Sequence, residues 1–134
     1  MLLRLALAAI LPLLSACVTA MPVSCAGGAA PKPVAELVFG RNIGGRLGVG
    51  ERDWRAFLDT EVTPRFPDGF TVLDARGQWR DAGAIVREPS KVLVIALQDE
   101  ARDRAEIAAV AEAYKARFRQ QSVLTMVRQA CVSF

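Results

Sequence analysis

The segment KVLVIAL, ending at Leu97, contains six consecutive apolar residues, Val92 to Leu97. A strand with one face in water alternates apolar and polar residues; an unbroken apolar run requires cover on both faces. Any fold available to this chain must place the segment at the centre of a sheet and shield both its sides.

The flanking patterns state what supplies that cover. Val34 to Asn42 reads as a short strand, followed by GRNIGGRLGVG with five glycines in eleven residues. ERDWRAFLDTEV sets Trp54, Phe57, Leu58 and Val62 at helical spacing, with Glu51 and Asp53 in the first turn, where the helix dipole favours anions. Gly50 is a weak N-cap where a serine would serve better, and Pro64 ends the helix at about Val62 or Thr63. RFPDGF carries a turn, Phe70 to Trp79 a second strand, and RDAGA closes a hairpin into a third, Ile85 to Leu97. Asp99 caps a helix whose stripe is Ile107, Val110, Ala111, Tyr114 and Phe118, and Ser122 to Val132 is a last strand. The order β-α-β-β-α-β predicts an α+β, ferredoxin-like domain: a four-stranded antiparallel sheet in spatial order 4-1-3-2 with two helices on one face. The other face is then left to a second subunit, a bound apolar ligand or the N-terminal segment. It carries either Leu93, Ile95 and Leu97 or Val92, Val94 and Ala96, because one register slip exchanges the faces.

The N-terminus has another purpose. Arg4 precedes an apolar run from Leu5 to Leu14, too short for a spanning helix and of the length of a secretory signal. The string Leu14-Ser15-Ala16-Cys17 resembles the lipobox of bacterial lipoproteins, in which the cysteine is acylated and becomes the new N-terminus. That resemblance implies a signal peptide over residues 1–16, membrane attachment through acylated Cys17, and, with Val18 rather than aspartate next in line, the periplasmic side of the outer membrane. Ordinary cleavage after Ala20 is the alternative. Residues 17–33, rich in Ala, Gly and Pro, read as a flexible tether able to reach on the order of 50 Å, leaving 34–134 as a single domain.

Composition removes several chemistries. With 17 basic and 14 acidic residues the chain has no electrostatic footprint for nucleic acid. The complete absence of histidine excludes Ser-His-Asp and Cys-His catalysis and histidine zinc sites, so no metal or cofactor is expected. The glycine spacing of Gly40 to Leu47 matches a phosphate loop but lacks its lysine and hydroxyl. With Cys17 acylated, Cys25 and Cys131 remain, and in the expected topology the end of the last strand lies beside the start of the first. A bridge between them fits an oxidising compartment; two free thiols are the alternative. Arg41, Trp79, Arg80 and Lys91 are candidate rim residues for a ligand on the open face. Glu88 and Lys91 read as a surface pair, and Glu36, Arg41 and Tyr114 would handle protons only if the fold brought them together.

AELVFGR, EVTPRFPDGFTVLDARGQWRD, REPSKVLVIAL and YKARFRQQSVL, in this order, resemble a bacterial family known as domain of unknown function number 3574, over about Val34 to Phe134. The resemblance implies a small exported protein or lipoprotein and carries no catalytic residue. Two functions are therefore open: a non-enzymatic envelope binding or assembly module acting through the open sheet face, and a small enzyme of the dimeric α+β barrel type acting on a small apolar or anionic ligand. The lack of histidine, reactive thiol and metal ligands favours the first.

Overall fold

A computed structural model describes residues 23–134; the expected signal sequence, Cys17 and the first part of the expected tether, through residue 22, lie outside that range. The elements are β1 (Ala30–Gly40), β2 (Asn42–Ile43), β3 (Arg46–Leu47), α1 (Glu51–Phe57), β4 (Thr71–Asp81), β5 (Ala84–Ala96), α2 (Glu100–Phe118) and β6 (Leu124–Val132). The four long strands form one antiparallel sheet in the order β4-β5-β1-β6, and β2 and β3 form a separate small hairpin. The architecture is α+β with two helices on one side of the sheet.

The apolar run lies in β5, between β4 and β1. Its odd-numbered residues Leu93, Ile95 and Leu97 are buried with Ala35, Leu37 and Phe39 of β1 against the helices. Its even-numbered residues Val92, Val94 and Ala96 face the other way and are only half-buried. Trp54, Phe57, Ile107, Val110, Tyr114 and Phe118 supply the helical half of the core, and Ala111 is half-buried at its margin. Asp99 caps α2 by accepting the Arg102 N–H at 3.0 Å. The weak cap at Gly50 is supported by Asp53, whose carboxylate accepts the Gly50 N–H at 3.3 Å.

Three features depart from the sequence reading. The helix ends at Val62 as expected, but its last turn, Leu58–Val62, is π-helical and not α-helical, with the Thr63 N–H donating to the Leu58 carbonyl at 2.8 Å. The wider turn carries Val62 into the core. The glycine-rich segment closes the β2–β3 hairpin through Gly44 and Gly45, both at positive φ, a conformation that L side chains resist. Finally, β1 begins at Ala30 and not at Val34, so Pro31 and Pro33 belong to the sheet. Here β1 is laddered to β6 alone, because β5 ends opposite Val34 and only the Pro33 carbonyl still accepts from that side, from the Leu97 N–H at 2.9 Å, so the missing proline N–H groups lose little ladder bonding. This is also where a Cys25–Cys131 disulfide ties the N-terminal segment to β6, with Cα atoms 5.5 Å apart. The β4–β5 hairpin turns through Ala82 and Gly83, and Ala82 takes φ 42°, unusual for a residue with a Cβ.

Candidate functional site

The sheet face away from the helices can be read directly from the strand registers. Leu73, Val92, Val38 and Leu124 lie in one row across all four strands, with Val94 and Met126 in the next. Leu73, Leu124 and Met126 are exposed. Along β5 in the other direction the same face continues through Ser90, Glu88 and Val86, opposite Ala75, Gly77 and Trp79 of β4.

Glu88 is the unusual residue of this face. It is 7% exposed although its strand parity puts it on the face away from the helices. Two strand positions without side chains make room for it. A Cβ on Gly40 would stand 2.0 Å from Glu88 Oε1, and a Cβ on Gly77 would stand 3.0 Å from Ser90 Oγ and 4.0 Å from Glu88 Cγ. The carboxylate accepts the Asn42 N–H at 3.0 Å through Oε2, and among the described residues no cation faces it. Desolvation therefore raises its pKa above the ordinary glutamate value, and the single backbone hydrogen bond only partly opposes the shift. Trp79, 44% exposed, lies along the same face beside Gly77. A desolvated carboxyl bordered by an exposed aromatic ring and an apolar row is equipped to exchange a proton with a small molecule.

The expected rim residues are distributed differently. Arg41 and Lys91 are on the helix side of the sheet, because they have the parity of Phe39 and Leu93, and both are buried. Arg41 Nε donates to the Val49 carbonyl at 2.8 Å and its Nη1 pairs with Glu51 at 2.8 Å. Lys91 pairs with Glu51 at 3.0 Å and with Asp74. Burial lowers the Lys91 pKa, but the hydrogen bonds to Asp74 and Glu51 outweigh it and the net shift is upward; the same contacts hold both carboxylates low. Arg80 is at the exposed hairpin tip, with Nη1 3.4 Å from the Gly83 carbonyl. The structure thus joins Arg41 to Lys91 through Glu51, and places Trp79 alone of the four on the open face.

The strand geometry also decides two other groupings. Glu88 and Lys91 do not pair, because three residues along a strand put them on opposite faces. Glu36 and Tyr114 do not converge: Glu36 pairs with Arg128 on the open face, while Tyr114 is in the core, its hydroxyl donating to the Gly40 carbonyl at 2.8 Å. Burial raises the Tyr114 pKa well above the phenol range. Among the described residues no group of three or more acidic or cysteine side chains is arranged to hold a metal, and no helix is long and apolar enough to cross a membrane. A groove of about 390 Å³ runs between α2 and β6, past Ala108, Ala111, Val123 and Thr125, and Glu88 does not line it.

Residues 34–134 match the family model described as "Protein of unknown function (DUF3574)". The chain belongs to this family. No curated protein of similar sequence matches. Among solved structures the chain resembles a phage SAM lyase in its apo state, at 18% identity and TM-score 0.60, covering 81% of this chain and 87% of that one. It likewise resembles a phage SAM lyase in complex with S-methyl-5'-thioadenosine, at 17% identity and TM-score 0.59 over 84% and 97% of the two chains. CutA from Synechococcus elongatus is similar at 12% identity and TM-score 0.50, over 76% and 79%. At these identities the likeness is one of fold. It nonetheless corrects the expectation of a non-enzymatic envelope module, because this fold carries an enzyme in the phage protein. That expectation leaned on missing histidines, thiols and metal ligands, none of which carboxylate chemistry requires.

Proposed function

We propose that this DUF3574 domain is a small enzyme of the dimeric α+β barrel type, in which Glu88 transfers a proton to or from a small, largely apolar substrate on the open sheet face. The observation that carries the proposal is the Glu88 carboxyl: desolvated, without a cation, and fitted against the bare backbone of Gly40 and Gly77. A carboxyl of raised pKa is a stronger base once ionised and an available acid nearer neutral pH. The row Leu73–Val92–Val38–Leu124 offers apolar surface to the substrate body and to a second copy packed sheet to sheet, and Trp79 offers a ring face at the margin. Support at fold level comes from the phage SAM lyase, whose complex holds a small molecule, S-methyl-5'-thioadenosine. The sheet reads as ferredoxin-like when the β2–β3 hairpin is counted as an insertion between β1 and α1. Lipid attachment at Cys17, through the tether, would hold the enzyme in the cell envelope, facing the periplasm.

The test is comparative metabolite profiling. Incubated with a small-molecule extract of the cell envelope, the wild-type protein is expected to consume at least one compound that Glu88→Gln leaves untouched. Identical profiles would overturn the assignment. Folding is controlled by pH. Burial raises the Glu88 pKa in the folded state, so its contribution to stability is present below the unfolded value of about 4.3 and lost as pH rises through the folded one. At pH 7 the amide therefore melts no lower than wild type. Sedimentation should give a dimer; a monodisperse monomer removes the second copy from the proposal.

A further inference from the structure

On the other side of the sheet we infer that Arg41 and Lys91 form a binding site for a small organic carboxylate, a site that Glu51 fills when no ligand is bound. The inference is independent of the role given to Glu88. Its basis is an asymmetry of burial. Arg41 is 7% exposed and Lys91 5%, whereas the side chains of their partners Glu51 and Asp74 are 57% and 83% exposed. A buried cation is costly without an anion, and here the anions that compensate Arg41 and Lys91 lie at the surface. Here the cations are fixed and the anions are free to leave. Arg41 is held by its Nε bond to the Val49 carbonyl, and Lys91 lies within β5. Glu51 is the first residue of α1, and its carboxylate makes no bond to that helix.

The two cations also converge on one point. Glu51 Oε1 is 2.8 Å from Arg41 Nη1 and 3.0 Å from Lys91 Nζ, so an oxygen at that position is held by both. Rotation of the Glu51 side chain into water vacates it. The remaining group of Arg41, Lys91 and Asp74 then carries a net single positive charge, which a monoanion neutralises and a phosphate dianion would overshoot. The oxygen now in place belongs to a carboxylate, so the same bond lengths serve a carboxylate ligand.

The experiment is an NMR titration of ¹⁵N-labelled protein with sodium acetate against sodium chloride of equal ionic strength, following the Arg41 Nε–H and Lys91 Nζ signals. In the wild type both signals are expected to shift saturably with acetate and not with chloride. Glu51→Ala is expected to tighten acetate binding about tenfold or more by removing the intramolecular competitor, and to prefer acetate over phosphate. Glu51→Gln serves the same purpose should the alanine variant not fold. Adding Lys91→Met abolishes the response. A silent wild type would make Glu51 a fixed structural partner and overturn the site, even with acetate binding to Glu51→Ala. Equal shifts in acetate and chloride, or a preference for phosphate, would also overturn it.

Discussion

Replacing Cys25 and Cys131 by alanine is expected to destabilise the domain by about 4 kcal/mol, read as a lower urea midpoint, with m unchanged or raised because the unfolded chain is no longer cross-linked. The bridge joins residues 106 apart, so it constrains nearly the whole chain in the unfolded state. For a loop of that length the chain-entropy account gives about 4–5 kcal/mol, less any native strain. The cost falls where the sheet is thinnest. Cys131 stands opposite Pro31, in the part of β1 that pairs only with β6. Hydrogen exchange should therefore show the Ala30 and Lys32 amides and those at the end of β6 opening first, and dithiothreitol on the wild type should reproduce the mutant midpoint. An unchanged midpoint in both experiments would show that the bridge contributes nothing to stability.

Phe57→Ala is expected to cost about 3–5 kcal/mol. Phe57 is fully buried, and its ring centroid lies 5.1 Å from that of Tyr114, 5.8 Å from Trp54, 5.9 Å from Phe118 and 6.1 Å from Phe39. Removing it leaves a cavity whose walls are rings from both helices and β1, and tilted and edge-on aromatic pairs each add roughly 0.5–1.5 kcal/mol beyond burial. The loss is a large share of the 5–15 kcal/mol that holds an ordinary domain together. Tyr114→Phe is the contrast: the ring stays and only the hydroxyl bond to the Gly40 carbonyl is lost, for about 1–1.5 kcal/mol. Urea titration of the two variants decides the ranking. A Phe57→Ala cost no larger than that of Tyr114→Phe would mean that the aromatic cluster does not carry the core.

Much of this arrangement was legible in the sequence. The stripes Trp54–Phe57–Val62 and Ile107–Val110–Tyr114–Phe118 mark the core because 3.6-residue periodicity leaves little choice of face. The apolar run gave the central strand but not its orientation, since both alternating sets are apolar; the packing of Leu93 and Ile95 with Leu37 and Phe39 decides it. The same ambiguity hides the face that Arg41 and Lys91 occupy. The prolines at 31 and 33 hid the start of β1, because only the finished sheet shows that this stretch has a single neighbour. Glu88 was missed as a functional group. Strand parity already separated it from Lys91, but its burial depends on Gly40 and Gly77 of two other strands, a coincidence that no local pattern in the sequence records.

Whether Glu88 is a desolvated working carboxyl and not a surface charge is decided by a carbon-13 NMR titration of its side-chain carboxyl in wild type and in Gly40→Ala. A methyl at position 40 would meet Oε1 at 2.0 Å, and the end of a glutamate side chain can swing away from it into water. The wild-type midpoint is expected above the ordinary glutamate value, and in Gly40→Ala it should return to about 4.3 with the fold retained. A wild-type midpoint at or below that ordinary value would contradict the desolvated carboxyl.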